Sequence, residues 1–281
     1  MNWKKMIWEK LLKYFFIYLI ILCLIKLFSP ILWSHFSHDM ETDAQLYSLF
    51  FNSCVAVATV CCVQYATPVP LSSLGPNTLV SKTLLIGLGA ATLIVGGSFC
   101  LLTLTKQIGG FLYRPNLSTI VLGMGTCAAI GITEEFLIRG YLLKMLLKYY
   151  PTSRALNLSS LIFASLHIFN PHITLLAIFN LFIGGLILGQ LYLSSQNLWL
   201  VIILHAIWDF LLGPVFGFPV GSIAFYSWIL QGNTHNNIWS GGAFGFEGSI
   251  LCFVSQLVIL CVILKPLKGR TFRSPLKSIQ I

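Results

Sequence analysis

Charge is what this sequence has least of. Charged residues make up 9% of its 281 residues, against about 25% in soluble domains, and only 8 residues are acidic. That shortage excludes an ordinary water-soluble fold. Long polar stretches are missing too, and apolar runs recur along nearly the whole chain, so a single membrane domain is expected over residues 1–281. There is no His-Glu-x-x-His motif. The eight cysteines show no metal-type spacing, and all lie in apolar segments, where they read as reduced core residues. No Ala-x-Ala cleavage site follows the basic start (Lys4, Lys5, Lys10, Lys13) and its apolar stretch, which is therefore expected to remain as an anchor helix. The closing Ser-Ile-Gln-Ile has no cysteine four from the end, so the chain is not expected to be a prenylation substrate itself.

What the sequence does have is hydrophobicity: 57% of residues are hydrophobic and the mean hydropathy is +0.85. Hydropathy and loop signals predict helices near 11–33, 44–66, 80–105, 118–147, 155–169, 173–194, 197–213 and 248–265. The expected fold is all-α: a polytopic bundle of about eight transmembrane helices with a polar site inside it. An even count puts both termini on one side. Lys82, Lys144, Lys148 and Arg154 fall on the side of the basic terminal segments, whereas the opposite side holds Lys106 and Arg114, so both termini are expected to be cytosolic. The net charge of +9 then reads as a topology signal and an attraction to membrane lipid head groups. It does not suggest nucleic acid, because the basic residues flank spans and do not line an aromatic-rich soluble surface. Small residues recur within the spans, among them Gly123, Gly125, Gly131, Gly185 and Gly189, as close helix packing in lipid requires. The long loop 214–247, rich in glycine, proline and aromatics, is expected to form an interfacial or re-entrant cap.

Against this background a few ionisable residues stand out. A charged side chain at the centre of a span costs roughly 2.5–3.5 kcal/mol on the insertion scale, yet Glu134, Glu135, Arg139 and Asp209 all fall in predicted spans. They must therefore face one another or a wet cavity. Glu135 and Arg139 are spaced i,i+4 on one helical face and can pair. Glu134 lies about 100° round the helix and is left free for proton transfer. Phe163 and His167 share a face, as do His205 and Asp209. Asp209 can accept from His205, or can donate if burial keeps it protonated, and Phe163 would wall the site against bulk water. Three helices thus carry the groups needed for a general base, a proton donor and an oxyanion stabiliser. Glu134, His167, His205 and Asp209 can also supply the two-histidine and carboxylate set of a hydrolytic zinc. His35, His38, His172 and His235 lie in predicted loops or at span ends and are expected to play no catalytic part. Glu247, at the start of the predicted last helix, reads as a complement to the helix dipole.

The ordered series Glu134-Glu135-x-x-x-Arg139, Phe163-x-x-x-His167, His205-x-x-x-Asp209 resembles the signature of the CAAX protease and bacteriocin-processing (Abi) family, which includes the type II CAAX prenyl endopeptidases. The resemblance covers about residues 118–213, and the glycine-rich run Ser240–Ser249 also looks like a stretch in some bacterial members. It implies an intramembrane endopeptidase in which Glu134 activates water with help from His167. His205 and residue 209 would form the oxyanion hole, while Glu135 and Arg139 brace the helix. It also implies a metal-free mechanism with no cofactor, leaving zinc as the alternative, and a membrane-associated or lipidated peptide as substrate. The prenyl endopeptidases usually carry Asn where this chain has Asp209. An ionised Asp would repel an oxyanion, so Asp209 must be protonated or must orient His205 instead. Other classes compatible with intramembrane Glu and His are a non-enzymatic scaffold or bacteriocin self-immunity protein, and a proton-coupled transporter, although the paired broken helices of a transporter are absent.

Overall fold

The computed structural model describes residues 17, 20–31, 40–66, 82–232 and 237–264. Helix α1 covers Ile20–Ile31, followed by α2 (Met40–Ala66), α3 (Lys82–Leu104), α4 (Leu117–Glu135), α5 (Lys144–Leu147), α6 (Thr152–Leu166), α7 (Leu175–Ser195), α8 (Leu198–Phe210) and α9 (Ile250–Leu264). Each lies on a stretch expected from hydropathy, with α4 and α5 together filling one. Among the described residues, five helices are long and apolar enough to cross a membrane: Asp43–Tyr65, Lys82–Leu104, Leu117–Leu147, Leu175–Ser195 and Leu198–Val215. Shorter apolar helices cover Ile20–Ile31 and Ile250–Ile263. The basic segments expected to set terminal orientation, and His35, His38 and His235, lie outside the described residues.

Local chemistry explains where these helices begin. The Asn116 side chain accepts from the Ser118 and Thr119 amides at the head of α4, Thr174 caps α7 and Asn197 caps α8, each supplying an acceptor to orphan N–H groups. Gln196 adopts a left-handed conformation at the end of α7, so α7 reverses into α8 within two residues.

Two stretches depart from the expected regular helices. Residues Phe136–Leu143 wind as a π-helix between α4 and α5, and Leu211–Val215, containing Pro214, does the same after α8. Such widened i→i+5 turns are rare and concentrate at functional positions. Here one directly follows Glu135 and the other begins two residues after Asp209.

The small residues do part of the packing work expected of them. A Cβ on Gly185 would lie 3.1 Å from Ser160 Cα, and one on Gly131 would lie 3.1 Å from the Ile202 carbonyl oxygen. Bare backbone at these points lets α6 close on α7, and α8 on α4. Gly89 and Gly97, by contrast, face open space.

The described residues of the loop 214–247, expected as a cap, are tied to the bundle at several points. Its strand β2 (Ile229–Gln231) pairs antiparallel with β1 (Phe111–Tyr113), Phe111 opposite Gln231 and Tyr113 opposite Ile229. Gln45 at the start of α2 donates to the Tyr226 carbonyl, and Ser222 donates to the Pro171 carbonyl in the α6–α7 turn. Phe218, Phe244 and Phe246 are fully buried, Phe218 and Phe246 in the apolar cluster that also holds Val95, Phe99 and Leu212. Irregular backbone is tolerated in a membrane protein where protein surrounds it.

Candidate active site

Arg139 and Glu135 face each other across the first π turn, with Arg139 Nη1 donating to Glu135 Oε1 at 2.7 Å. Both are buried completely. Arg139 Nη2 donates to the Gly185 carbonyl at 3.0 Å, so the guanidinium ties α7 to the α4 axis at the point where glycine lets α6 approach. The expected ion pair is present.

The same carboxylate has a second task that spacing did not reveal. His205 Nδ1 lies 2.8 Å from Glu135 Oε1. A carboxylate with Arg139 beside it accepts, so Nδ1 carries the hydrogen and the ring is held with Nε2 forward. Sequence spacing offered Asp209 as the orienting partner of His205. Asp209 Oδ2 instead stands 3.7 Å from Nε2, the opposite nitrogen, beyond direct hydrogen-bond length.

Nε2 of His205 also faces Glu134 Oε2 at 3.7 Å. The other oxygen of Glu134 is 3.7 Å from His167 Nε2, so one carboxylate spans two imidazoles from two other segments. His167 ends α6, and its Nδ1 donates to the Phe163 carbonyl at 2.9 Å, which again turns Nε2 toward Glu134. Phe163 packs its ring against three neighbours: His167 at 4.9 Å between centroids, His205 at 6.4 Å and the Arg139 guanidinium at 5.2 Å. Glu134 retains 26% of its side-chain exposure and His167 16%, whereas Asp209 is at 2%. The cluster is therefore open on the Glu134 and His167 side.

All four residues expected to be catalytic are thus in one cluster, with Glu135, Arg139 and Phe163 directly behind it. Among the described residues, no three His, Cys, Asp or Glu side chains converge as a metal-ligand set.

Glu247, read from sequence as lying at the start of the last helix, sits elsewhere. Helix α9 begins only at Ile250, and its first turn is capped by Ser249, whose Oγ accepts from the Cys252 amide at 3.0 Å. Glu247 sits on the preceding turn Phe246–Gly248. That turn is held by Asn180 Nδ2, which donates to the Glu247 carbonyl at 2.7 Å, and the Phe246 ring lies 6.1 Å from Trp208, the residue before Asp209. The available signal was the glycine-rich run around it, which marks backbone folded tightly on itself.

An apolar bundle that encloses a carboxylate between two imidazoles, backed by a buried ion pair, defines a polytopic membrane protein with an acid–base site inside its helices. Residues 115–211 match the family described as Rce1-like, type II CAAX prenyl endopeptidase Rce1-like. That segment holds every motif residue from Glu134 to Asp209, and the match is consistent with the CAAX protease and bacteriocin-processing family. Residues before 115, and the Glu247 turn, lie outside the match. No curated protein and no solved structure matches the chain.

Proposed function

We propose that this protein hydrolyses a peptide bond in a lipidated or membrane-associated peptide, as a CAAX-type intramembrane endopeptidase in which Glu134 activates the attacking water. The reading rests above all on Glu134, whose two oxygens stand 3.7 Å from His167 Nε2 and 3.7 Å from His205 Nε2. Such a gap admits a water within hydrogen-bond reach of the carboxylate and an imidazole together.

In this mechanism Glu134 takes a proton from water as the oxygen attacks the peptide carbonyl carbon. The carbonyl oxygen gains charge and is met by the Nε2–H of His205 in its imidazolium form and by the O–H of Asp209 in its carboxylic acid form. The C–N bond then breaks, and the leaving nitrogen receives its proton from His167 Nε2, which Glu134 replenishes. Glu135 holds the His205 ring, and Phe163 keeps water from the back of both imidazoles. No metal and no nucleic acid enters the scheme, and the lipid bilayer supplies the route by which substrate reaches the helices.

The purified protein in detergent, given a fluorescence-quenched peptide ending in a farnesylated cysteine motif and a second apolar transmembrane peptide, tests this directly. E134Q is expected to lower cleavage by about 10²–10⁴-fold, and a chelator is expected to leave the wild-type rate unchanged. Wild-type turnover by E134Q overturns the water-activating role, and chelator inhibition reversed by zinc overturns the metal-free one.

A further inference from the structure

The two imidazoles that flank Glu134 come from helices that scarcely touch. Helix α6 packs on α7 and α8 packs on α4, with little contact between α6 and α8 themselves. The gaps of 3.7 Å on either side of Glu134 therefore need something besides helix packing to keep the end of α6 at a set distance from α8.

His167 occupies the last position of α6, and its own backbone and ring bonds are local. Its Nδ1 donates to the Phe163 carbonyl, and its carbonyl accepts from the Asn170 amide at 2.9 Å. Among the described residues, two hydrogen bonds tie the turn that follows it to another segment, and both lead to the same tight turn beyond α8. Asn170 Nδ2 donates to the Gly221 carbonyl at 3.3 Å, and Ser222 Oγ donates to the Pro171 carbonyl.

That tight turn is built to be stiff. Val220 and Ile223 exchange backbone hydrogen bonds at 3.0 and 2.9 Å. Between them Gly221 and Ser222 have φ angles of 52° and 76°, both left-handed, as the tightest hairpin turns require. Glycine is the ordinary residue for such angles, and a serine is uncommon there; this one sets its hydroxyl on the α6–α7 turn. The other side of the hairpin is fixed as well. The Ser222 amide donates to the Phe244 carbonyl at 3.1 Å, and Phe244 is buried in the same apolar cluster as Phe163 and Ala164 of α6. The Phe225 ring lies on Gly213, where a Cβ would come within 2.6 Å of it, and Gly213 stands four residues after Asp209 on the continuation of α8. The Gly217 amide donates to the Gly213 carbonyl at 2.9 Å, and the Phe218 amide to that of Leu212 at 2.8 Å. The tip of the hairpin thus grips the residues just after His167, while its stem is fixed to the residues just after Asp209.

We propose that the turn Val220–Ile223 is a brace between the two histidine-bearing helices, in which Ser222 and Asn170 are positioning residues that hold the His167 ring at its distance from Glu134 and His205. Both act through the α6–α7 backbone and neither is a catalytic group. The catalytic consequence rests on the peptidase reading, in which His167 protonates the leaving nitrogen, whereas the bracing of the ring is independent of it.

The full-length protein in detergent, carrying S222G and N170A together, tests this. Glycine is at home at the left-handed position, so S222G keeps the hairpin and removes only the hydroxyl, and N170A removes Nδ2 while leaving the backbone bond to the His167 carbonyl. S222G alone carries the same test should the pair fail to fold. The first measurement needs no substrate: nuclear magnetic resonance of protein labelled with ¹⁵N in its histidines. The His167 ring signals, assigned by their loss in H167A, are expected to shift and broaden in the variant. His167 signals unchanged in position and width overturn the brace.

The second measurement uses the farnesylated peptide. The variant is expected to lose about 10²-fold in kcat, the scale of a misplacement of roughly 1 Å, with KM kept within about twofold. The same two changes are expected to cost less than about twofold when His167 is already Ala. An unaltered kcat, a loss confined to KM, or a loss of equal size in both backgrounds overturns the positioning role. If E134Q proves fully active while the His167 signals still move, the peptidase reading fails and the brace stands.

Discussion

Glu135 Oε1 receives Arg139 Nη1 at 2.7 Å and His205 Nδ1 at 2.8 Å, so one oxygen joins the ion pair to the ring facing Glu134. Removing one member of a buried pair strands the other charge, at a cost of about 3–5 kcal/mol. R139A is therefore expected to lower unfolding stability in detergent by that amount. R139K should recover only part of it, because a single ammonium lacks the planar fork that serves Glu135 and Gly185 together. Denaturant or thermal unfolding measures this, and an R139A protein as stable as wild type would show the pair to be dispensable. At this scale the motif spacing named all the clustered residues from Glu134 to Asp209 and paired Glu135 with Arg139 correctly. It could not give ring orientation. The i,i+4 rule sets which side chains are near, and His205 took as its Nδ1 partner a residue on another helix, leaving Asp209 on the opposite nitrogen.

The helices themselves were legible because each span needs a long apolar run, and such runs are the plainest signal a sequence carries. The π turns were not, since composition and hydropathy are the same whether a carbonyl is met four or five residues on. Nor was the ribbon: Phe111–Tyr113 and Ile229–Gln231 are three residues each and far apart in sequence, and nothing local announces their pairing. The loop 214–247, expected as a cap, is anchored near its end by Asn180 of α7, a tether that composition does not announce. N180A leaves the Glu247 and Ser249 carbonyls without that donor, at about 1–3 kcal/mol for buried groups left unmet. Hydrogen exchange should then accelerate across residues 241–249 while α4 and α8 keep their protection. Unchanged exchange in that segment would mean the tether contributes nothing.

Across the whole molecule, one end gathers the start of α2, the ribbon after α3, the α6–α7 turn and the segment after α8, joined through Gln45, Ser222 and the β1–β2 pairing. Lys106 and Arg114 belong to that end, whereas Lys82, Lys148 and Arg154 flank helix ends away from it. We expect the basic end, and both termini with it, to face the cytosol. Fusions of a fluorescent protein and of a phosphatase to each terminus check this: fluorescence with a silent phosphatase at both termini is the expected pattern, and an active phosphatase at either overturns it. The tethered turn also has a bearing on how the chain is made. Glu134, His167, His205 and Asp209 all leave the ribosome before Glu247 does, and Asn180 waits in the membrane for the two carbonyls that it will hold. A nascent chain halted short of that turn owns both imidazoles and Glu134, yet lacks the segment that Asn180 anchors, so biosynthesis itself withholds the finished surroundings of the site until that turn has been made.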